Sequence, residues 1–258
     1  MRLIAIGCSG SFPGPGSPAS CYLVQAEHEG RLWTVALDLG NGSIGPMHGV
    51  LDPRDLDAVV LTHLHPDHCL DLCGLYVMRT YQPGGPRMDR LPVWGPRDAP
   101  ERLGRAYGVN GPEDLSDRYD FRVLSGGETF ACGPFTITPY LMNHPVEAYG
   151  LRVEADGVVL AYTGDTDDCP RLRQLIAGVD LALMDCAFVD GRDAAVGIHM
   201  SGSRAARAAV KAGGVRRLVL THIPSWNDPE VCRAQAAAIW PGDVELCRPG
   251  AVYDLRAT

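Results

Sequence analysis

Lysine is almost missing from this chain: of 23 basic residues only Lys211 is a lysine. Positive charge is itself in deficit, with 31 acidic residues and a formal net charge of −8. A protein that grips a long nucleic acid carries a basic stripe. Here there are only short groups such as Arg102/Arg105 and Arg216-Arg217, which read as solvated faces. No apolar run approaches the roughly 18 residues of a membrane-spanning helix. The N-terminal apolar stretch is too short for a secretory signal and is followed by no small-residue cleavage site, so the expected location is cytoplasmic. The nine cysteines are odd in number and scattered, with no C-x-x-C pair; the closest, Cys69 and Cys73, are four apart. They read as buried thiols of a reducing compartment, Cys69 included despite its place beside His68.

What is present is a soluble-type composition and one dense motif. The chain has 258 residues, 46% of them hydrophobic, with a mean hydropathy of −0.04. That is enough to bury a sizeable core, and no linker or repeat divides it, so a single domain over residues 1–258 is expected. The motif is His63-Leu64-His65-Pro66-Asp67-His68, three imidazoles and a carboxylate in six residues. It directly follows an apolar run, Ala58-Val59-Val60-Leu61, that reads as a buried strand. Imidazole nitrogen and carboxylate oxygen suit zinc, manganese or iron. A structural loop gains nothing from three clustered titratable rings.

Further donors stand in the same kind of place. His144, His199, His222 and Asp165 each follow a strand-like run or sit in a glycine-flanked loop. Singly, each has an ordinary explanation, such as a helix cap or a turn. Together with the His-rich run they make a metal site the better account. Asp38, at the end of Val35-Ala36-Leu37, is a candidate to orient a ligand imidazole, with a plain turn carboxylate as the equal alternative. His28 and His48 have no such context and read as surface residues.

Strands are expected at 2–6, 21–26, 32–37, 58–61, 91–94, 121–124, 135–141, 149–154, 158–162, 181–184, 217–221, 244–246 and 251–255. Helices are expected at 67–79, 99–107, 170–177, 203–212 and 229–239. Ser201 or Ser203 and Asp228 are the expected caps, and Pro66 suits a first helical turn. The order implies an α/β protein of two sheets packed face to face, helices outside. Residues 7–20, rich in Gly, Pro and Ser, form a loop whose Ser9 and Ser11 are candidates to line a phosphate site. Residues 83–86 read as a surface loop.

The order His63-x-His65-x-Asp67-His68, His144, Gly164-Asp165-Thr166, His222 resembles the metallo-β-lactamase superfamily of binuclear metallohydrolases, over nearly the whole chain. Gly197-Ile198-His199-Met200-Ser201 narrows the resemblance to the phosphodiesterase and ribonuclease Z-like branch. Gly7-Cys8-Ser9-Gly10-Ser11, Ser17-Pro18-Ala19-Ser20 and Leu220-Thr221-His222-Ile223-Pro224 look like actinobacterial cyclic-nucleotide phosphodiesterases. The resemblance implies a four-layer αββα sandwich of two mixed sheets and two divalent cations, zinc first and manganese as the alternative. His63, His65 and His144 would hold one, Asp67, His68 and His222 the other, and Asp165 would bridge them; a homodimer is also implied as an option.

The implied reaction is hydrolysis of a small-molecule 3′,5′-cyclic nucleotide such as cAMP to the 5′-monophosphate by a metal-bridging hydroxide. Asp67 and His199 are the catalytic candidates, His199 acting on the phosphoryl oxygen or the departing alkoxide. A ribonuclease Z-like endonuclease acting on precursor tRNA is the alternative. Its protruding arm has no room in the 21 positions from His144 to Asp165, and its lysine before the Gly-Asp pair is absent. A lactone, thioester or β-lactam hydrolase would leave His199 without a task, and a binding module without turnover would not need all seven ligands.

Overall fold

The computed structural model describes residues 1–109 and 115–257. Two seven-stranded mixed sheets make up its centre. In the first, β1 (Arg2–Gly7), β2 (Cys21–His28) and β3 (Arg31–Leu37) are antiparallel neighbours, and β14 (Val252–Asp254) pairs with β1 at one edge. From β3 the sheet continues in parallel through β4 (Ala58–Val60), β5 (Leu91–Gly95) and β6 (Tyr119–Val123). The second sheet repeats this plan. β7 (Phe130–Cys132), β8 (Phe135–Leu141), β9 (Tyr149–Ala155) and β10 (Val158–Tyr162) are antiparallel, followed in parallel by β11 (Leu181–Asp185), β12 (Leu218–Thr221) and β13 (Val244–Leu246).

Each sheet is buried on both faces, which is why most strands read as continuous apolar runs. Along β2, Tyr22 and Val24 point into the core between the sheets with Leu37, Ile137, Leu151 and Leu183. Their neighbours Cys21 and Leu23 point the other way, into a second core with Leu72, Leu75 and Leu103. Those three belong to α3 (Asp71–Tyr81) and α4 (Ala99–Tyr107), which cover the first sheet with α1 (Ile44–Met47) and α2 (Pro66–Cys69). A third core joins Ala161, Met184 and Leu220 to α5 (Pro170–Ile176), α6 (Gly202–Lys211) and α7 (Pro229–Ala237). The expected αββα layering is therefore present, with three apolar interfaces between four layers. Truncating a fully buried leucine such as Leu23 to alanine costs about 2–5 kcal/mol.

Several expectations need correction. The helix expected over 67–79 is two helices, because the chain near Leu39 takes the intervening backbone groups. Leu39 N–H donates to the His68 carbonyl at 2.8 Å, and Asp71 N–H donates to the Leu39 carbonyl at 3.1 Å. Strand β7 and helix α1 lie in segments without a periodic signal. The caps are as expected: Ser201 accepts from Arg204 N–H and Asp228 from Glu230 N–H. All nine cysteines are free and six of them are buried, Cys69 among them. Among the described residues no helix is long and apolar enough to cross a membrane.

Candidate metal centre

Parallel strands end on the same side of a sheet, and loops at their carboxyl ends converge there. Asp38 follows β3, the His63 motif follows β4, Asp165 follows β10, Asp185 ends β11 and His222 follows β12. The seams between sheets meet at the same end. Tyr162 from the second sheet donates to Asp38 Oδ2 at 2.8 Å, and Tyr149 N–H donates to the Thr62 carbonyl at 2.9 Å.

Two donor clusters share Asp165. The first holds His63, His65, His144 and Asp165, and the second Asp67, His68, Asp165 and His222; within each, one donor atom per residue lies within 4.8 Å of all the others. His63 Nε2 is 3.0 Å from His65 Nδ1 and 3.6 Å from Asp165 Oδ2. His144 Nε2 is 3.3 Å from His65 Nδ1. On the other side, Asp165 Oδ1 lies 3.2 Å from His68 Nε2 and 3.4 Å from His222 Nε2. His222 Nε2 is 3.1 Å from Asp67 Oδ2. The seven residues singled out from the sequence as ligands are thus brought together around one carboxylate.

This donor set fits divalent cations of the zinc or manganese kind. The buried Asp165 Oδ1 has no hydrogen-bond partner despite the nearby rings, and buried polar atoms are rarely left so. His68 Nε2 and His222 Nε2 face each other at 3.2 Å, a spacing that needs one proton or one cation between them.

The ring nitrogens on the far side are fixed by hydrogen bonds. His68 Nδ1 is 2.7 Å from Asp38 Oδ2, and the same carboxylate accepts from Thr62 N–H at 2.7 Å and Thr62 Oγ1 at 2.9 Å. His144 Nδ1 lies 2.9 Å from the Ile198 carbonyl. Asp38 and His222 both take left-handed backbone conformations, at φ of 59° and 58°, a cost tolerated where side chains must be aimed.

Asp185 is the functional candidate that reading the sequence missed. It is fully buried, and its Oδ2 accepts from Thr166 N–H at 3.1 Å and lies 2.9 Å from His199 Nδ1. Its other oxygen is 3.4 Å from His222 Nδ1. Asp165, Asp185, His199 and His222 form a third cluster that abuts the second. The signal was available: Leu181-Ala-Leu-Met-Asp185 is an acid at the end of an apolar run, as Asp38 is.

Electrostatics divides the histidines into two groups. Burial first, then the charge of neighbouring rings, holds His63 well below its ordinary range. Burial also lowers His65 and His144. Burial opposes charge at His68 and His222 too, but there the carboxylates win: Asp165 and Asp38 raise His68, and Asp165, Asp185 and Asp67 raise His222 to about 10. Against its own burial, Asp67 is kept well below the usual carboxylate range by hydrogen bonds to His222 and His68. Burial opposes charge at His199 as well, and Asp185 outweighs it to raise the ring.

The two serines sit differently from the ligand candidates. Ser9 is buried and its hydroxyl donates to the Phe12 carbonyl at 2.7 Å, bracing the loop. Ser11 is exposed and brings its backbone N–H to 3.4 Å from His222 Nε2. Gly10 is required here, since a Cβ on it would lie 2.3 Å from the His222 carbonyl oxygen. His28 and His48 are exposed, as expected.

Residues 37–223 match the beta-lactamase superfamily domain. The chain is 40% identical over 259 residues to the uncharacterized protein Rv1339 of Mycobacterium tuberculosis, covering 99% of this chain and 93% of that one. It is 28% identical over 257 residues to the probable metallo-hydrolase YhfI of Bacillus subtilis, covering 98% and 100%. The crystal structure of YhfI, a metallo-beta-lactamase fold protein, superposes with a TM-score of 0.84 at 26% identity over 98% of this chain and 99% of that one. Human tRNase Z, short form, shares the fold, with a TM-score of 0.75 at 19% identity over 100% of both chains. The chain belongs to the beta-lactamase superfamily and is a metal-dependent hydrolase.

Proposed function

We propose that this hydrolase is a binuclear phosphodiesterase that converts 3′,5′-cyclic nucleotides of the cAMP kind to nucleoside 5′-monophosphates. The observation that carries the reading is the Asp185–His199 pair at the border of the two donor clusters. His63, His65 and His144 would hold one divalent cation and Asp67, His68 and His222 the second, with Asp165 between them. Zinc or manganese bound there would offset phosphate charge and make a water molecule a competent nucleophile near neutral pH.

The protein's own groups do the rest. Asp185 engages His199 through Nδ1, which leaves Nε2 for the substrate. From there His199 can hydrogen-bond a phosphoryl oxygen and pass a proton to the departing 3′-oxygen. Asp67, held ionised, offers an acceptor on the side where water must be oriented.

The chain between His144 and Asp165 supports a small substrate. Most of that span is the tight hairpin of β9 and β10, turning at Asp156-Gly157. It provides no arm for a tRNA, and the net charge of −8 provides no extended basic face. A singly charged cyclic diester needs neither.

The test is a product assay. Full-length protein loaded with zinc or manganese is incubated with cAMP and, separately, with a precursor tRNA. Release of 5′-AMP that is lost in Asp165→Ala supports the reading. Trimming of the tRNA without turnover of cAMP would replace it with the ribonuclease alternative.

A further inference from the structure

Phe12 and Trp226 are packed against each other on the rim of this site, with ring centroids 4.9 Å apart and planes tilted by 48°. Of the chain's five phenylalanines only Phe12 is exposed, and of its four tryptophans only Trp226, at 60%. Isolated exposed rings are ordinary, but here the one exposed Phe and the one exposed Trp meet, from segments more than two hundred residues apart.

Both rings stand on fixed backbone. Phe12 N–H donates to the Gly10 carbonyl at 2.7 Å, and the Phe12 carbonyl accepts from Ser9 Oγ at 2.7 Å. Next to Trp226, the buried Asn227 donates from its backbone to the Pro224 carbonyl at 2.9 Å and from Nδ2 to the Ala187 carbonyl at 2.8 Å. Both segments also converge on His222. Ser11, one residue before Phe12, contacts His222 Nε2 through its N–H, and Ser9 bridges to Ile223.

We propose that the Phe12–Trp226 pair is the platform on which the nucleobase of the substrate stacks. The inference rests on the cyclic-nucleotide reading above: with the phosphate at the donor clusters, the flat apolar end of the nucleotide meets this rim. Two rings already in contact on braced loops bind a base face at lower entropic cost than rings that must first be brought together. Stacking accepts every base, because every base has a π face. Larger purines gain more from it than pyrimidines, so adenine and guanine cyclic nucleotides are both accepted ahead of pyrimidine ones.

The test compares adenosine 3′,5′-cyclic phosphate with abasic ribose 3′,5′-cyclic phosphate on metal-loaded full-length protein. Wild type, Trp226→Ala, Trp226→Phe and Phe12→Ala are assayed, with thermal melts to verify folding. The ratio of kcat/KM for the nucleotide over the abasic compound should fall about tenfold or more in Trp226→Ala. Trp226→Phe should recover most of that loss, and Phe12→Ala should show a smaller one. An unchanged ratio in folded Trp226→Ala and Phe12→Ala overturns the platform while leaving the phosphodiesterase reading intact. Wild type that turns over neither compound overturns that reading, and the platform with it.

Discussion

Asp38 holds His68 from behind: its Oδ2 lies 2.7 Å from His68 Nδ1, on the opposite side of the ring from the nitrogen that faces Asp165. Asp185 stands in the same relation to His199 in the other sheet, at 2.9 Å. In each case an acid at a strand end fixes the tautomer and the direction of an imidazole. The two halves of the sandwich therefore use the same device, one serving a metal-ligand candidate and the other the residue proposed to face the substrate.

Asp38→Asn keeps the shape of the carboxylate but replaces one of its acceptor oxygens with a donor. Those oxygens serve Thr62 N–H, Thr62 Oγ1, His68 Nδ1 and Tyr162 O–H, so at least one partner is lost. Metal affinity at the His68 cluster should fall about 10- to 100-fold. Titration with Zn²⁺ against a competing chelator measures this. Wild-type affinity in Asp38→Asn would show that the intact Asp38 carboxylate is not needed to support metal binding.

His199→Ala removes a group that stands beside the donor clusters and is tied to Asp185. It should keep its metal content and lose about 10²-fold or more in kcat. Metal analysis alongside kinetics separates the two effects. If metal and activity disappear together, His199 is a ligand and its proposed role toward the leaving group is wrong.

The ligand candidates were legible because the signal is local. A short apolar run followed by His or Asp marks a strand end, and His63, Asp165 and His222 all sit there. Asp185 obeys the same rule, but only the fold brings it to His199. The break between α2 and α3 was not legible for a different reason. Residues 66–81 carry nothing that stops a helix, and the interruption comes from Leu39, about thirty residues upstream, whose backbone captures the His68 carbonyl. The contact of Phe12 with Trp226 is equally invisible, since each ring lies in a loop without periodicity.

The divided histidine electrostatics predicts how metal uptake depends on pH. His68 and His222 are raised by their carboxylates, His222 to about 10, so the facing pair holds a proton more tightly in the metal-free protein than a free imidazole would. A cation entering the Asp67/His68/His222 cluster must displace that proton, so its affinity rises as pH rises. His63, His65 and His144 are lowered from an ordinary value of 6.5 and are already neutral there. A cation entering their cluster releases few protons. Calorimetric titration in two buffers of different ionisation enthalpy counts the protons; equal release for both metals contradicts the division.

Gly164 tests whether the backbone before Asp165 is as constrained as the site requires. Its φ is 55°, and an added Cβ would lie 2.9 Å from Thr62 Cβ and 2.9 Å from the Tyr149 carbonyl oxygen. Neither neighbour is free to move. Thr62 is buried and hydrogen-bonded twice to Asp38, and the Tyr149 backbone is tied to the Thr62 carbonyl. The left-handed conformation alone costs a β-carbon residue about 1–3 kcal/mol, and the contact adds to it. Gly164→Ala should therefore lower the melting temperature and, by shifting Asp165, weaken both metal positions together. Thermal melts and metal titration on the same sample check this. A normal melting temperature with normal metal content would mean that the strand end relaxes without moving Asp165, and the strained geometry would then not be what aims its carboxylate.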